Sequence, residues 1–237
     1  MTAHKNLTCD LTSDFSYEVK RSHRRKTMCL QIRDGQVQVL VPARAHDRQI
    51  RDLVNKHSGW IEKKLREQFA RPKAPVRAFV DGEVFACLGR EHVLKLIQGA
   101  PWPAETRDGT LVVTVRDDGN IEVIRERIIE WYRLAALESF QDRTAYFAAR
   151  LGVAAKSVKV KAYRRRWGSC SAGGELSFNW RLALAPAAVA DYVAAHEVSH
   201  LVHHNHSPLF WAVVADLLPG YRDQQKWLIK FGGLLDI

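Results

Sequence analysis

The sequence predicts an α+β protein in which a β-rich N-terminal domain precedes a more helical C-terminal domain. Short stretches that alternate apolar and polar residues recur before residue 118. Apolar residues spaced three and four apart then run from Ile121 to Leu151. A further alternating stretch, Leu176 to Leu184, comes just before another helical segment. We therefore predict two domains, residues 1–118 and 119–237.

The N-terminal domain begins with a predicted β-hairpin. SYEVKRSHRRKTMCLQIR and QVQVLVPA alternate on either side of Asp34-Gly35, a dipeptide typical of tight hairpin turns. Helical spacing then predicts one helix from Asp47 to Gln68, and ARPKAP indicates a linker or turn. Three further strands are predicted, each bounded by Gly, Pro or Asp: AFVDGEVFACLG, HVLKLIQG and GTLVVTVR.

Composition favours a globular protein of the cytoplasm. Apolar residues make up 46% of the chain, and no run approaches the roughly 18 apolar residues of a membrane span. The N-terminus, MTAHKNLTCDLTSDF, lacks the apolar core of a secretory signal. No C-x-x-C pair occurs, so we expect no zinc knuckle and four reduced thiols: Cys9, Cys29, Cys87 and Cys170.

The net charge of +10 bears on binding partners. Positive charge is densest in KRSHRRK, from Lys20 to Lys26, and in the run from Arg164 to Arg166. Such runs either form solvated faces or contact phosphates, so nucleic acid is one partner to consider. We expect no membrane partner.

The most informative stretch is HEVSHLVHHNH, which holds five of the ten histidines. Helical spacing predicts a helix from Ala187 to about His204. His196 and His200 then lie one turn apart on one face, with Glu197 beside them. This H-E-x-x-H arrangement is typical of enzymes in which two imidazoles bind zinc and the glutamate deprotonates a zinc-bound water.

A catalytic zinc needs a third protein ligand. No glutamate follows Glu197, and on a straight helix the other two histidines of the cluster, His203 and His204, rise about 10 and 12 Å from His196, too far to share an ion. Asn205 tolerates the left-handed conformation that ends helices, which favours His206 as the third ligand. Asp216 or Asp223 is the alternative. The H-E-x-x-H-x5-H spacing is that of metzincins, but His203 replaces their glycine, and the only methionines, Met1 and Met28, precede the motif.

Before this helix, SVKVKAYRRRWGSCSAGGELSFNWRLAL predicts two strands around the turn Gly173-Gly174. They form either an ordinary core hairpin or an edge to which an extended peptide substrate can add.

At this point RRRWGSCSAGGELSFNWRLALAP, followed by DYVAAHEVSHLVHHNHSPLFW, resembles the YgjP-like metallopeptidases. The resemblance is specific from Val158 to Ile237 and looser at the N-terminus, in the hairpin, VPARA and HSGWIEKKL. It implies a zincin-like catalytic domain in which Glu197 is catalytic and zinc is bound by His196, His200 and His206. The segment is more distantly similar to SprT-like proteases, which act on proteins attached to DNA.

We therefore predict a zinc metallopeptidase that cleaves peptide or protein substrates. In this hypothesis Glu197 takes a proton from the attacking water and passes one to the leaving amine. Predicted substrate contacts are Trp167, Gly168, Ser169, Tyr192 and Tyr221, and the two tyrosines or the arginines from Arg164 to Arg166 are candidate donors to the oxyanion. The alternatives are a zinc-dependent nucleotide or phosphoanhydride hydrolase, a DNA-associated protease, and a binding module with structural zinc.

Overall fold

The structure is a computed structural model that describes residues 15–33, 35–70, 74–100, 102–116 and 120–237. The chain divides into two compact units, Met1–Pro72 and Lys73–Ile237. Six α-helices and three small sheets lie in the described ranges, which confirms the predicted α+β mixture. Residues 1–14 lie outside the described residues. They include Cys9 and all but the last residue of the stretch considered for a secretory signal.

The first unit is one three-stranded sheet with two helices. Its elements are β1 (Tyr17–Ser22), β2 (Cys29–Arg33), β3 (Gln36–Pro42), α1 (Asp47–Lys56) and α2 (Ser58–Phe69). β2 and β3 form the predicted antiparallel hairpin, and Gly35 in its turn has a φ of 76°, while Asp34 lies outside the described residues. β1 runs parallel to β3 on its other side. The core contains Val39, Val41 and Ile61, which the two helices and the sheet bury together.

Where one helix was predicted over Asp47 to Gln68, the structure has two. The chain leaves helical geometry at His57, whose φ and ψ are −112° and 13°. Its amide bonds to the carbonyl of Val54, so the first helix closes with a tightened turn before the second begins. Gly59 just beyond lowers the helical preference of this segment.

Part of the basic run in the first unit has a structural role. The guanidinium of Arg21 donates to the carbonyls of Ala43 and Ala45, at 3.2 and 2.6 Å, and pairs with Asp47. Lys20 pairs with the carboxylate of Glu18 at 3.2 Å. Arg21 therefore links β1 to the start of α1, Lys20 forms a surface ion pair within its own strand, and His23 to Lys26 lie in the segment that follows β1.

The second unit holds all remaining elements. Its first sheet, in the order β4-β5-β7-β6, comprises β4 (Val84–Cys87), β5 (Arg90–Gln98), β6 (Glu105–Arg107) and β7 (Thr110–Val115). Its second sheet, in the order β8-β10-β9, comprises β8 (Ser157–Lys161), β9 (Gly168–Cys170) and β10 (Glu175–Asn179). The helices are α3 (Ile121–Leu151), α4 (Ala187–Ser199), α5 (Pro208–Leu217) and α6 (Tyr221–Phe231).

The division between units falls earlier than the domain boundary predicted at residues 118 and 119. Phe85 and Leu111 of the four-stranded sheet belong to the same buried core as Ile128 and Phe140 of α3. Because a small sheet must cover its apolar face, the sheet belongs with the helix that covers it. The predicted boundary therefore lies within the second unit, next to residues 117–119, which are outside the described ranges.

The long helix α3 has the predicted bounds because both ends are capped. The side chain of Asn120 accepts a hydrogen bond from the amide of Glu122 at 3.0 Å, and Gly152 ends the helix in the left-handed conformation. Midway along it, the rings of Phe140 and Phe178 stack with centroids 4.2 Å apart. This contact joins α3 to the central strand of the second sheet.

The second sheet has three strands where two were predicted. β9 and β10 form the predicted antiparallel hairpin around Gly173-Gly174, and β8 pairs with β10 in parallel. The alternation that predicted a strand as far as Leu184 ends at Asn179, because the chain enters a 3-10 helix, Trp180–Leu184. The Asn179 side chain accepts from the amide of Arg181 at 3.3 Å and starts that turn.

Three cysteines are described, Cys29, Cys87 and Cys170, and all are free thiols. Burial raises the pKa of the Cys87 thiol to about 11, which keeps it protonated at neutral pH. In the described ranges no helix is both long and apolar enough to span a bilayer.

We predict that Phe140→Ala lowers the free energy of unfolding by about 3–5 kcal/mol, since it removes a fully buried ring. Urea unfolding followed by fluorescence measures the change. Leu134→Ala on the same helix, where the side chain is 51% exposed, is the matched control and should cost less than about 1 kcal/mol. Equal costs for the two substitutions would contradict the assigned core.

Candidate metal centre

Helix α4 is buried along most of its length and carries His196 and Glu197 near its C-terminal end. The prediction that it continues to His204 and exits at Asn205 is wrong. The helix ends at Ser199, and tightened bonds follow, such as that from the amide of His200 to the carbonyl of Glu197 at 3.2 Å. Ser199 also bonds back to the carbonyl of Ala195 at 2.7 Å.

The turn from His200 to His206 needs no left-handed residue. Among the described residues other than glycine, positive φ angles occur at Phe79, Leu88 and Asp108, and Asn205 is not one of them. The early end of α4 turns the chain back instead, so His206 returns to the face that carries His196 and His200.

The three predicted ligands converge. One nitrogen from each of His196, His200 and His206 lies within 4.8 Å of the others, and the Nε2 atoms of His196 and His206 are 3.1 Å apart. Two nitrogens on one zinc ion, each about 2.0–2.1 Å from it, lie at most about 4 Å apart. Small side-chain adjustments would therefore bring all three within reach of a single ion.

The alternative ligands and the remaining histidines lie outside this group. Asp223 pairs with Lys226 at 3.4 Å, and Asp216 is exposed on α5. His204 is exposed. His203 contributes through its main chain: its carbonyl oxygen lies 3.0 Å from Nδ1 of His200.

That contact determines the tautomer of His200. A carbonyl oxygen only accepts hydrogen bonds, so Nδ1 of His200 must carry the proton and donate it. The lone pair of Nε2 is then free to bind a metal ion. The main chain thus orients this imidazole as a ligand.

The electrostatic environment also suits a cation. Burial lowers the pKa of His196 to about 3, with smaller contributions from His200 and His206, and burial lowers the pKa of His200 as well. These imidazoles are therefore neutral at pH 7, which is the form that binds metal ions. In addition, Nδ1 of His196 is buried without a hydrogen-bond partner in the structure. Three imidazole nitrogens so close together fit a divalent metal ion of the zinc type.

Two residues that the sequence did not predict form an aromatic floor beneath the histidines, Phe210 and Trp211. The Phe210 ring is fully buried, and its centroid lies 5.0, 4.5 and 4.8 Å from those of His196, His200 and His206. Trp211 stacks on His206 at 5.7 Å.

The start of α5 explains how this floor is placed. Ser207 caps the helix by accepting from the amide of Phe210 at 3.4 Å, and Pro208 occupies the first turn. The helix therefore begins directly after His206 and directs Phe210 toward the histidines. In the sequence, the four-residue spacing between His206 and Phe210 was the one indication that Phe210 could contact the histidines. The same spacing also fits an ordinary core helix.

The two tyrosines predicted as substrate contacts belong to an aromatic stack beside the histidines. Tyr192 stacks on Tyr221 at 6.2 Å and lies 6.0 Å from His196, and Tyr221 stacks on Trp211 at 5.5 Å. Both tyrosines are buried. Their packing supports the histidine side of the site, and their contact with a substrate stays a prediction.

Glu197 lies directly against the backbone of β9. A Cβ built on Gly168 would be 2.5 Å from Oε1 of Glu197 and 2.6 Å from its Cγ, so only glycine fits here. Burial raises the pKa of Glu197 to about 8, and the charge of Arg166 opposes the shift. The structure thus brings a buried carboxyl, an edge strand and three imidazoles together.

The other predicted cleft residues flank Gly168. The hydroxyl of Ser169 lies 2.9 Å from that of Tyr163. The Trp167 ring packs so closely on Gly232 that an added Cβ there would lie 2.8 Å from it. Both side chains therefore have partners within the protein.

A helix with H-E-x-x-H and a third converging histidine is the arrangement of metal-dependent peptidases. The chain belongs to the YgjP-like family: the model of the YgjP-like metallopeptidase domain matches residues 26–231. The resemblance seen in the sequence is thereby confirmed, and the protein is a metallopeptidase by family.

Comparison with solved structures found the metallopeptidase zymogen abylysin of Pyrococcus abyssi, at 19% identity and a TM-score of 0.36. The similar region covers 39% of this chain and 95% of that one. Among curated proteins no sequence matches this chain.

We predict that the purified protein binds about one zinc ion per chain and that His206→Ala loses most of it. The reason is that two imidazoles alone leave the ion without a third ligand. Elemental analysis after dialysis measures the content. His204→Ala is the matched control and should retain the metal, because this exposed ring lies outside the histidine group. Full zinc content in His206→Ala would remove His206 from the ligand set.

Proposed function

We propose that the protein is a zinc-dependent peptidase with a zincin-like catalytic domain, in which Glu197 is the general base. The observation that carries the proposal is the position of this carboxyl: it follows His196 on α4 and lies buried against Gly168 of β9. Among described residues, the one group of side chains suited to a metal ion lies beside it.

The proposed ligands are His196, His200 and His206. A zinc ion bound there would polarise the substrate carbonyl and activate water near neutral pH. Cobalt or manganese would supply related chemistry, and zinc is proposed because a set of three imidazole ligands suits it well.

Glu197 would transfer the proton during hydrolysis. Its carboxylate accepts a proton from the attacking water as the new C–O bond forms. The carboxyl then holds that proton until the C–N bond breaks. The proton then passes to the leaving nitrogen, which departs as an amine.

The substrate would lie along β9 in extended form. β9 pairs with β10 on one side, and in the described part of the chain its other edge has no strand partner. A peptide can add to such an edge through main-chain hydrogen bonds. Because Gly168 lacks a side chain, this edge lies directly against Glu197 and would bring the scissile bond close to the carboxyl.

Stabilisation of the oxyanion needs a further donor. Tyr192 and Tyr221 lie beside the histidines. Arg166 precedes β9, the strand that lies against Glu197. We propose these groups as donor candidates. A cytoplasmic location and a nucleic-acid partner also stay proposals, based on composition and charge.

We predict that Glu197→Gln keeps its zinc but lowers kcat for a fluorogenic peptide at least about 100-fold, because the amide cannot accept the proton. Zinc content and peptide cleavage are measured on the same preparation. Glu126→Gln changes an exposed glutamate on α3 and should cleave at the wild-type rate. Wild-type activity in Glu197→Gln would exclude the general-base role.

We predict that Gly168→Ala likewise lowers kcat about 100-fold or more with zinc retained, because the new Cβ displaces the carboxyl of Glu197. Gly173→Ala, in the turn of the same hairpin, is the control. Its Cβ would meet nothing closer than Ser171 at 3.8 Å, so cleavage should be nearly unchanged. If both variants cleave equally well, the contact between β9 and Glu197 does not position the base.

A further inference from the structure

A cleft of about 520 Å³ opens on the loop that leads into β9, and we refer to it as the arginine cleft. The residues of its lining that matter here are Arg164, Arg165, Arg166, Trp167, Arg181 and Asp236. Four arginines and one aspartate leave three positive charges unbalanced in this lining. The cleft lies outside the histidine group and outside the contact between Gly168 and Glu197.

The loop that carries three of these arginines is held by its backbone. The buried side chain of Asn179 donates to the carbonyls of Tyr163 and Arg166, at 3.0 and 3.2 Å. The amide of Asn179 also donates to the carbonyl of Trp167 at 2.8 Å. Because the main chain is held in this way, the guanidinium groups extend from a fixed base.

The arginines of the loop form no ion pair in the described ranges, although the charge of Arg166 acts on the carboxyl of Glu197. No ion pair or hydrogen bond to a carboxylate involves Arg164, Arg165 or Arg166 within the described ranges, and all three are exposed. Arg166 lies 5.5 Å over the ring of Tyr163. Arg164 and Arg165 therefore concentrate charge on a fixed loop without an ion-pair partner in the described ranges, which favours an anionic ligand.

The cleft already binds one carboxylate from the chain itself. Oδ1 of Asp236 accepts from Nε of Arg181 at 3.0 Å and lies 2.9 Å from its Nη2. This pair shows that an acidic side chain of ordinary length fits against the wall of the cleft. The three loop arginines line the same cleft and offer the same chemistry.

The cleft is also close to the proposed scissile bond along the chain. Arg166 and Gly168 are separated by one residue, so their Cα atoms lie at most about 7 Å apart, roughly the length of two extended residues. A peptide paired with β9 would therefore reach the arginines within two or three residues of the bond that is cleaved.

We propose that the arginine cleft binds acidic side chains of the substrate, so that the enzyme prefers peptides with Asp or Glu two or three residues from the cleaved bond. This inference rests on the proposed peptidase function and adds a substrate class to it. A carboxylate is favoured over a nucleic-acid backbone because the cleft already binds Asp236 and lies beside the proposed peptide edge.

The test compares two internally quenched peptides that differ only in Glu or Gln at the second and third positions on both sides of one bond. The wild-type kcat/KM should be about tenfold higher for the Glu peptide, the size of effect expected for charge-assisted contacts. Arg164→Gln combined with Arg165→Gln should bring this ratio close to one. Arg116→Gln combined with Arg133→Gln removes the same charge outside the cleft lining and should preserve the ratio.

The outcomes separate this inference from the proposed function. If zinc-loaded wild type cleaves neither peptide, nor casein, the peptidase proposal itself is wrong. If it cleaves both peptides equally, or if the double variant in the cleft keeps the preference, the peptidase proposal stands. The proposal that the arginine cleft binds acidic side chains is then wrong. Inhibition by single-stranded DNA that disappears in that variant, together with equal cleavage of both peptides, would assign the cleft to nucleic acid instead.

Discussion

The contact between Gly168 and Glu197 is the constraint on which the rest of the catalytic unit depends. A buried carboxyl lies against strand backbone with no side chain between them, so the strand must be placed to within a fraction of an ångström. Register provides this precision: Gly168 pairs with Phe178 across the hairpin, and Phe178 stacks on Phe140 of α3. A core contact that takes no part in the chemistry thus helps to position the proposed base.

The histidine side of the site is positioned by different means, which are local to one short segment. The tightened end of α4, the carbonyl of His203 and the capped start of α5 all lie within about a dozen residues. Phe210 then places an apolar surface against the imidazoles, and burial lowers the pKa of His196 and of His200. The proposed ligands therefore depend on local chain geometry, whereas the proposed base depends on tertiary packing.

This difference explains how much could be predicted from the sequence. His196, Glu197 and His200 were accessible because helical spacing alone brings them together, and His206 because competing ligands could be excluded by reach. The exit at Asn205 was wrong because the end of a helix depends on hydrogen bonds that spacing does not show. The division between the two units and the split of the helix at His57 differ from the predictions for a related reason, because both depend on packing between elements. A glycine within a strand, such as Gly168, indicates in the sequence that another group approaches the backbone closely. That this group is Glu197 is known only from the fold.

The hydrogen bond from His200 to the carbonyl of His203 has a consequence for sequence change at the site. The acceptor belongs to the main chain, which every amino acid carries, so the identity of the residue at position 203 is not specified by this bond. Substitutions there can accumulate without loss of the orientation of His200, provided that the turn is preserved. Of the five neighbouring histidines, His203 therefore contributes to the site through its main chain rather than through its imidazole.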